Sequence, residues 1–215
     1  MIKVIENFLP HNEAIILSNN IYNTPSDWWT YAYRHNDSKN VVNLGDNLFG
    51  QNGQRSEEEK IRRNFQAGNF TYKFRRSTKH VKGCTCYECT FKKEHLLKDV
   101  RDTVIKYSNL ENPYIFETFI SAYSPGDFLS THTDENRGVA FIYNLTQNWL
   151  PEYGGCLHLL GKEPKVIYPK FNALVLMQLG DQGVPHFVSE VSSYAPYARV
   201  AAVSYTHLTL PTNCV

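Results

Sequence analysis

From residue 115 onward the chain divides into short runs separated by turn signals: 115–123, 128–134, 138–146, 155–160, 164–169, 172–179, 185–191 and 197–202. Period two places successive side chains of a strand on opposite faces, so each short run can present one face inward and the other outward. Ser124-Pro125-Gly126-Asp127, Gly154-Gly155 and Gly183-Val184-Pro185 supply breaks between runs. Eight short strands in such close succession suggest a barrel or a sandwich.

The first 114 residues have a different texture. Ile15, Ile16 and Leu17 form one patch, and Ile21 follows Leu17 at i+4, which predicts a helix over 11–23. Trp28, Trp29, Tyr31 and Tyr33 predict a strand, and Asn69–Arg75 predicts another with one buried face. Residues 36–57, rich in Asn, Asp, Gly and Gln, read as a long loop of the kind that serves as a functional lid. Leu96, Leu97, Val100, Val104 and Tyr107 form one stripe of a helix over 94–108. A length of 215 residues with 42% hydrophobic content suits one domain with a single core. No apolar run has the length of a membrane span, and Met1–Pro10, with Lys3 and Glu6 inside it, lacks the pattern of a signal peptide. A cytoplasmic protein without membrane contact is expected. The five cysteines form no even disulfide framework.

Chemistry concentrates at His132-Thr133-Asp134, with His186 farther on and Arg199 thirteen residues after that. Two imidazoles and one carboxylate can cap one face of an octahedral Fe(II) and leave the opposite face open. Residues i and i+2 of a strand point the same way, so His132 and Asp134 can reach one metal. Taken alone, His-x-Asp reads better as a surface turn within Ser130–Asn136 than as a metal site. Arg199 lies in an apolar strand, flanked by Ala198, Val200, Ala201 and Ala202. A cation there is costly to bury without a partner, which marks it as an anion-binding candidate.

The order of features over roughly 115–202 resembles the prolyl-hydroxylase-like branch of the 2-oxoglutarate/Fe(II) dioxygenases. Phe116–Tyr123 and the turn after it, His132-Thr133-Asp134, Val139–Leu145, Trp149, Gly154-Gly155, Leu157–Leu159, His186 and Arg199 follow one another as they do in that branch. The resemblance implies a mainly β, α+β fold with a double-stranded β-helix, or jelly-roll, core of two facing four-stranded sheets. The N-terminal helices would pack on one sheet's outer face. It implies His132, Asp134 and His186 as iron ligands and Arg199 as the anchor for 2-oxoglutarate, with Tyr123 and Asn144 lining the co-substrate pocket. Relatives tend to carry Tyr where this chain has Asn144, and their spacing from distal His to Arg is shorter. Tyr143 should point away from the pocket, and His158 and His11 should lie outside the site. The implied reaction consumes 2-oxoglutarate and O2, with ascorbate as a candidate reductant, and hydroxylates a C–H bond on a protein or peptide side chain such as proline. The same iron chemistry on nucleic acid or a small metabolite stays open, and so does a non-catalytic binding module.

Three features stand outside that pattern. His80, Cys84, Cys86 and Cys89 fall within ten residues and can form a Cys3His zinc site, although Cys84-x-Cys86 is tight for one. Unmodified thiols or a redox pair are the alternatives. Residues 60–98 hold eleven Lys/Arg against Glu88 and Glu94, a charge of +9 that suits contact with nucleic acid or a ribosome, or merely a solvated surface. Finally, Val203–Thr212 resembles one reading frame of a transposase-adapter sequence used in DNA library preparation; the alternative is a natural Thr-rich strand. The expected organisation is therefore one dioxygenase domain over 1–202. Residues 1–114 act as support with a Cys-rich insert at 80–89, 115–202 form the jelly roll, and 203–215 are a non-native tail.

Overall fold

The computed structural model describes residues 1–35, 38–43, 51–77, 89, 91, 95, 98–108, 113–135, 137–180 and 183–207. The elements are β1 (Ile2–Ile5), α1 (His11–Tyr22), β2 (Trp29–His35), β3 (Ser38–Asn43), α2 (Gln51–Gln66), β4 (Tyr72–Ser77) and α3 (Arg101–Tyr107). They are followed by β5 (Tyr114–Tyr123), β6 (Phe128–His132), β7 (Val139–Asn144), β8 (Leu157–Leu159), β9 (Lys165–Ile167), β10 (Ala173–Gln178), β11 (His186–Val188) and β12 (Arg199–His207). Each of the eight strands expected from 115 onward is present. Among the described residues, no helix is long and apolar enough to cross a membrane.

The strands run in the order β1-β10-β7-β12-β5-β4-β6-β11-β8-β9, every pairing antiparallel. The eight C-terminal strands thus make two runs of four, β10-β7-β12-β5 and β6-β11-β8-β9, as a jelly roll requires. They are not fully separate sheets. β4 joins them at one edge, with Arg75 and Arg76 on β5 and Tyr72 and Lys73 on β6. Phe119, Ala140 and Val175 from the first run pack in one cluster with Leu157, Leu159 and Val188 from the second, so the sheet curls over onto itself.

Alternation gives the first run two buried faces. Ile120, Phe141, Tyr143, Leu174, Leu176 and Val200 point outward and pack with Leu17 and Ile21 of α1 and Val104 of α3. Phe119, Tyr123, Ala140, Val175 and Met177 point inward. The helices therefore cover the outer face, as expected, and the inner face is left to line a cavity.

The expectation of a loop over 36–57 fails in part. Ser38–Asn43 is a strand that pairs with β2 in register from His35↔Ser38 to Thr30↔Asn43. Helix α2 begins at Gln51. Its charges bond along the helix, Glu57 with Lys60 at 2.6 Å and Glu59 with Arg63 at 2.6 Å. Such pairs support a helix that composition alone reads as loop. Leu96 and Leu97 of the expected 94–108 stripe lie outside the described residues, whereas Val100 and Val104 are fully buried. β12 continues past Ala202 through His207, paired with β5 on one side and, as far as Tyr205, with β7 on the other. That pairing rests on alternation, which the segment has whatever its origin. Residues 208–215 lie outside the described residues.

Candidate active site

β6 and β11 are antiparallel neighbours, and His132 and His186 are register partners across them. Their ring centroids lie 4.2 Å apart. Asp134 follows two residues after His132, beyond the end of β6 rather than within it. The loop before β11 approaches this corner closely. Gly183 has φ +67°, and a Cβ there would stand 3.0 Å from Thr133 Cβ and 3.2 Å from the Asp134 backbone nitrogen. Only glycine combines that conformation with that approach. Ligand atoms of His132, Asp134 and His186 all lie within 4.8 Å of one another, the one such group of three among the described residues.

The protein fixes the chemistry of these atoms. His132 Nδ1 lies 3.0 Å from the Ser130 carbonyl and His186 Nδ1 2.6 Å from the Val184 carbonyl. A carbonyl only accepts, so each Nδ1 carries the proton and each Nε2 keeps its lone pair. Burial, reinforced by the neighbouring His186, brings the His132 pKa down to about 4, so this imidazole is neutral at physiological pH. Arg137 Nη1 donates to Asp134 Oδ1 at 2.9 Å, and the Arg137 guanidinium also lies over the Tyr205 ring. Asp134 Oδ2 is buried, has no hydrogen-bond partner, and stands 3.6 Å from His186 Nε2. Two imidazole nitrogens and a bare carboxylate oxygen converging on one point suit a divalent first-row metal.

Arg199 shares a cavity of about 590 Å³ with these three residues. It is only 3% exposed. Nη2 donates to Asn144 Oδ1 at 3.0 Å, Nε has no partner, and the guanidinium lies 5.4 Å from the Tyr123 ring centre. Burial pulls its pKa below the ordinary value, the electrostatic cost of a cation in this position. Among the described residues no carboxylate forms an ion pair with it. Gly155, with φ +65°, lets the chain pass over the Arg199 stem, where a Cβ would come within 3.1 Å of Cδ. Tyr123 lines the cavity and stacks on Phe74 at 5.0 Å; burial raises its phenol pKa, which keeps it a neutral donor. β4 and the segment just before it complete the wall, because Phe70, Tyr72 and Phe74 face the cavity one after another and Phe70 stacks on His132 at 5.2 Å.

Asn144 has a different place from the one expected. It does not line the cavity; its carbonyl oxygen holds Arg199, and its amide nitrogen points to the Ala173 carbonyl at 3.4 Å. Tyr143 faces away, with its hydroxyl on Asn172 Oδ1 at 2.8 Å. His158 stacks on Phe187 on the opposite side from its leucine neighbours, and His11 opens α1 against Phe171. Arg137, two residues past Glu135, was not legible as a site residue, although its i+3 spacing from Asp134 is the signal that could have found it.

The expected zinc group lies mostly outside the described residues: of His80, Cys84, Cys86 and Cys89, only Cys89 is within them, and it is half-buried. The basic segment is partly neutralised from just ahead of its boundary. Lys60 bonds Glu57, Arg63 bonds Glu59, and Lys73 bonds Glu58 at 2.8 Å.

Residues 118–207 match the family model described as the 2OG-Fe(II) oxygenase superfamily. A curated relative, the Drosophila melanogaster prolyl 3-hydroxylase sudestada1, is 32% identical over 128 residues, covering 52% of this chain. The chain spans only 23% of that relative's length. Among solved structures, a Trichoplax adhaerens prolyl hydroxylase in complex with a hypoxia-inducible-factor peptide superposes with a TM-score of 0.58 at 19% identity, covering 96% of this chain and 83% of that one. The viral collagen prolyl hydroxylase of Paramecium Bursaria Chlorella virus-1 gives 0.55 at 12% identity over 97% and 96%. A Pseudomonas putida prolyl-4-hydroxylase gives 0.52 at 16% identity over 96% and 91%. At such identities the structures establish a shared fold. The matched residues 118–207 contain His132, Asp134, His186 and Arg199, so the segment similar to the 2OG-Fe(II) oxygenase superfamily is the one that carries the convergent triad.

Proposed function

We propose that this chain carries the catalytic domain of a prolyl hydroxylase that uses Fe(II) and 2-oxoglutarate to hydroxylate proline in a protein or peptide. The observation that carries the reading is a single cavity holding three convergent metal-ligand atoms and, apart from them, a buried arginine with no anionic partner among the described residues. The curated relative sudestada1 is named a prolyl 3-hydroxylase, which supports proline as the side chain in this reading.

His132 Nε2, His186 Nε2 and Asp134 Oδ2 would hold the iron, and the Ser130 and Val184 carbonyls keep both imidazoles in the ligating tautomer. Arg199, steadied by Asn144, would bind the distal carboxylate of 2-oxoglutarate through charge-assisted hydrogen bonds. Tyr123 and Phe74 would wall that end of the cavity against water, and Phe70 would cover one face of His132. When bound, iron and 2-oxoglutarate supply the oxidation: 2-oxoglutarate and O2 are consumed, succinate and carbon dioxide leave, and one oxygen atom enters the substrate C–H bond. The residues named here bind, orient and exclude water. Ascorbate belongs in this reading as reductant, and a cytoplasmic location as its setting. Zinc on the Cys-rich segment would add a structural metal and no chemical step.

The test is succinate release with Fe(II), ascorbate and 2-oxoglutarate, coupled to mass spectrometry of proteins in a treated lysate. Succinate formed in step with the gain of one oxygen on proline supports the reading. Stoichiometric oxidation of a nucleic acid or small metabolite instead, with none on proline, would replace the substrate class. No turnover by a metal-loaded protein would favour a binding module.

A further inference from the structure

Asp134 is the ligand with the fewest supports. It lies beyond the end of β6, where no strand pairing holds it, whereas both histidines are held by strand pairing and by a carbonyl on Nδ1. A carboxylate can offer a metal one oxygen or both. If both bind, one coordination position that a chelating co-substrate needs is taken. The structure treats the two oxygens differently. Oδ1 accepts from Arg137 at 2.9 Å, and Oδ2 is buried without a hydrogen-bond partner and turned toward His186 Nε2 at 3.6 Å. Arg137 is itself partly shielded, with a quarter of its side chain (26%) exposed, so its bond to Oδ1 is less screened than a surface pair.

We propose that Arg137 is a positioning residue that reserves Asp134 Oδ1, so that Asp134 gives the metal a single oxygen and an extra position stays open for 2-oxoglutarate. The proposal rests on the reading of His132, Asp134 and His186 as metal ligands. A residue that merely tied the loop to the neighbouring strand would change stability when lost but would leave the number of open positions on the metal as it was.

Mn(II) reports that number, because water-proton relaxation scales with the exchangeable waters on the ion. With three protein ligands on an octahedral ion, three waters remain; if Asp134 chelates, two remain, and relaxivity per bound Mn(II) falls by about one third. The experiment titrates Mn(II) into the purified chain and its variants Arg137→Leu, Arg137→Gln, Arg137→Lys and Asp134→Ala, with circular dichroism to confirm folding. Arg137→Leu should lose about one third of the bound relaxivity and bind 2-oxoglutarate about 10-fold more weakly in the Mn(II) form, a typical effect for a residue behind a ligand. Arg137→Lys, which keeps a cation on Oδ1, should stay close to the wild type. Arg137→Gln keeps the proposal testable if the leucine variant fails to fold, and should lie between the two. Unchanged relaxivity and unchanged 2-oxoglutarate affinity in the folded leucine or glutamine variant overturn the proposal. Mn(II) binding that survives Asp134→Ala undiminished overturns the ligand reading itself, and the proposal with it.

Discussion

The two halves of this chain are built by different rules. In β5, β7, β10 and β12, side chains at period two meet two different environments, a helix-covered outer face and a cavity-lining inner face. From β1 to α3 the elements are held by contacts made to that sheet, such as Leu17, Ile21 and Val104 on its outer face. The first half's shape is thus written mainly in its partner. The second half's shape is written in its own short apolar runs and the turn residues between them, which is why the strand positions are readable there and less so ahead of residue 114.

The largest effect is expected at the seam. Leu174, fully buried on the outer face of β10, packs in the cluster that includes α1 and α3. Leu174→Ala should cost about 2–5 kcal/mol by denaturant unfolding, the range for a core leucine left as a cavity. It should leave 2-oxoglutarate affinity in the surviving folded fraction close to the wild type. A comparable loss of co-substrate binding would mean the two faces are not separable.

Arg199→Leu probes the inner face. Loss of charged hydrogen bonds to a buried carboxylate costs about 1.5–3 kcal/mol, or roughly 10- to 100-fold in 2-oxoglutarate affinity. Metal affinity should stay within a few-fold, and unchanged 2-oxoglutarate binding by calorimetry would remove Arg199 from the site.

Asp127 links the halves, since its carboxylate accepts from the Ser124 backbone at 2.8 Å and lies 3.4 Å from the Tyr31 hydroxyl of β2. Burial raises its pKa from 3.8 to about 6, against the pull of Ser124, Lys73 and Arg75. The folded state then binds the proton more tightly than the unfolded state between those values. Stability from this group is full below the unfolded value, declines as pH rises from about 4 to about 6, and is lost above that. Asp127→Asn should flatten that part of the pH–stability curve by about 1–2 kcal/mol. A slope that persists in the variant would assign it to other groups.

The smallest effect is expected at Glu57, which bonds His35 at 2.7 Å and Lys60 at 2.6 Å and so ties α2 to β2. Lys60, with His35, holds its pKa below the ordinary carboxylate value, against its own desolvation. The stabilisation is therefore present above the ordinary carboxylate pKa and lost as pH falls through the folded one. Half-exposed pairs of this kind contribute about 1 kcal/mol or less, so Glu57→Gln should shift the unfolding midpoint only slightly at neutral pH. A loss of several kcal/mol would show that α2 is more tightly woven into the fold than its surface pairs imply.

How far the site was legible follows the same divide. His132 and His186 were readable as types and in order, and strand pairing brings them opposite each other. The run 128–134 predicts Asp134 inside a strand, and it lies just past one, because the strand's end depends on pairing that a single sequence does not display. The carbonyls of Ser130 and Val184 were not legible, since backbone contacts depend on register and not on residue type. The family resemblance points to Asn144 as a pocket residue, whereas its side chain holds Arg199, a contact set by the β7–β12 register. β3 is hidden in the sequence because its Val41-Val42 pair is embedded in polar residues, and α2 because its stabilising pairs are charges.

The central claim is that one cavity binds metal and then 2-oxoglutarate through His132, Asp134, His186 and Arg199 in concert. Anaerobic calorimetry of the purified chain with Fe(II), followed by 2-oxoglutarate, tests it most directly. The expected result is one equivalent of Fe(II), 2-oxoglutarate binding that requires the metal, loss of both in His186→Ala, and loss of 2-oxoglutarate alone in Arg199→Leu. Full Fe(II) and 2-oxoglutarate binding by a folded His186→Ala protein would contradict it.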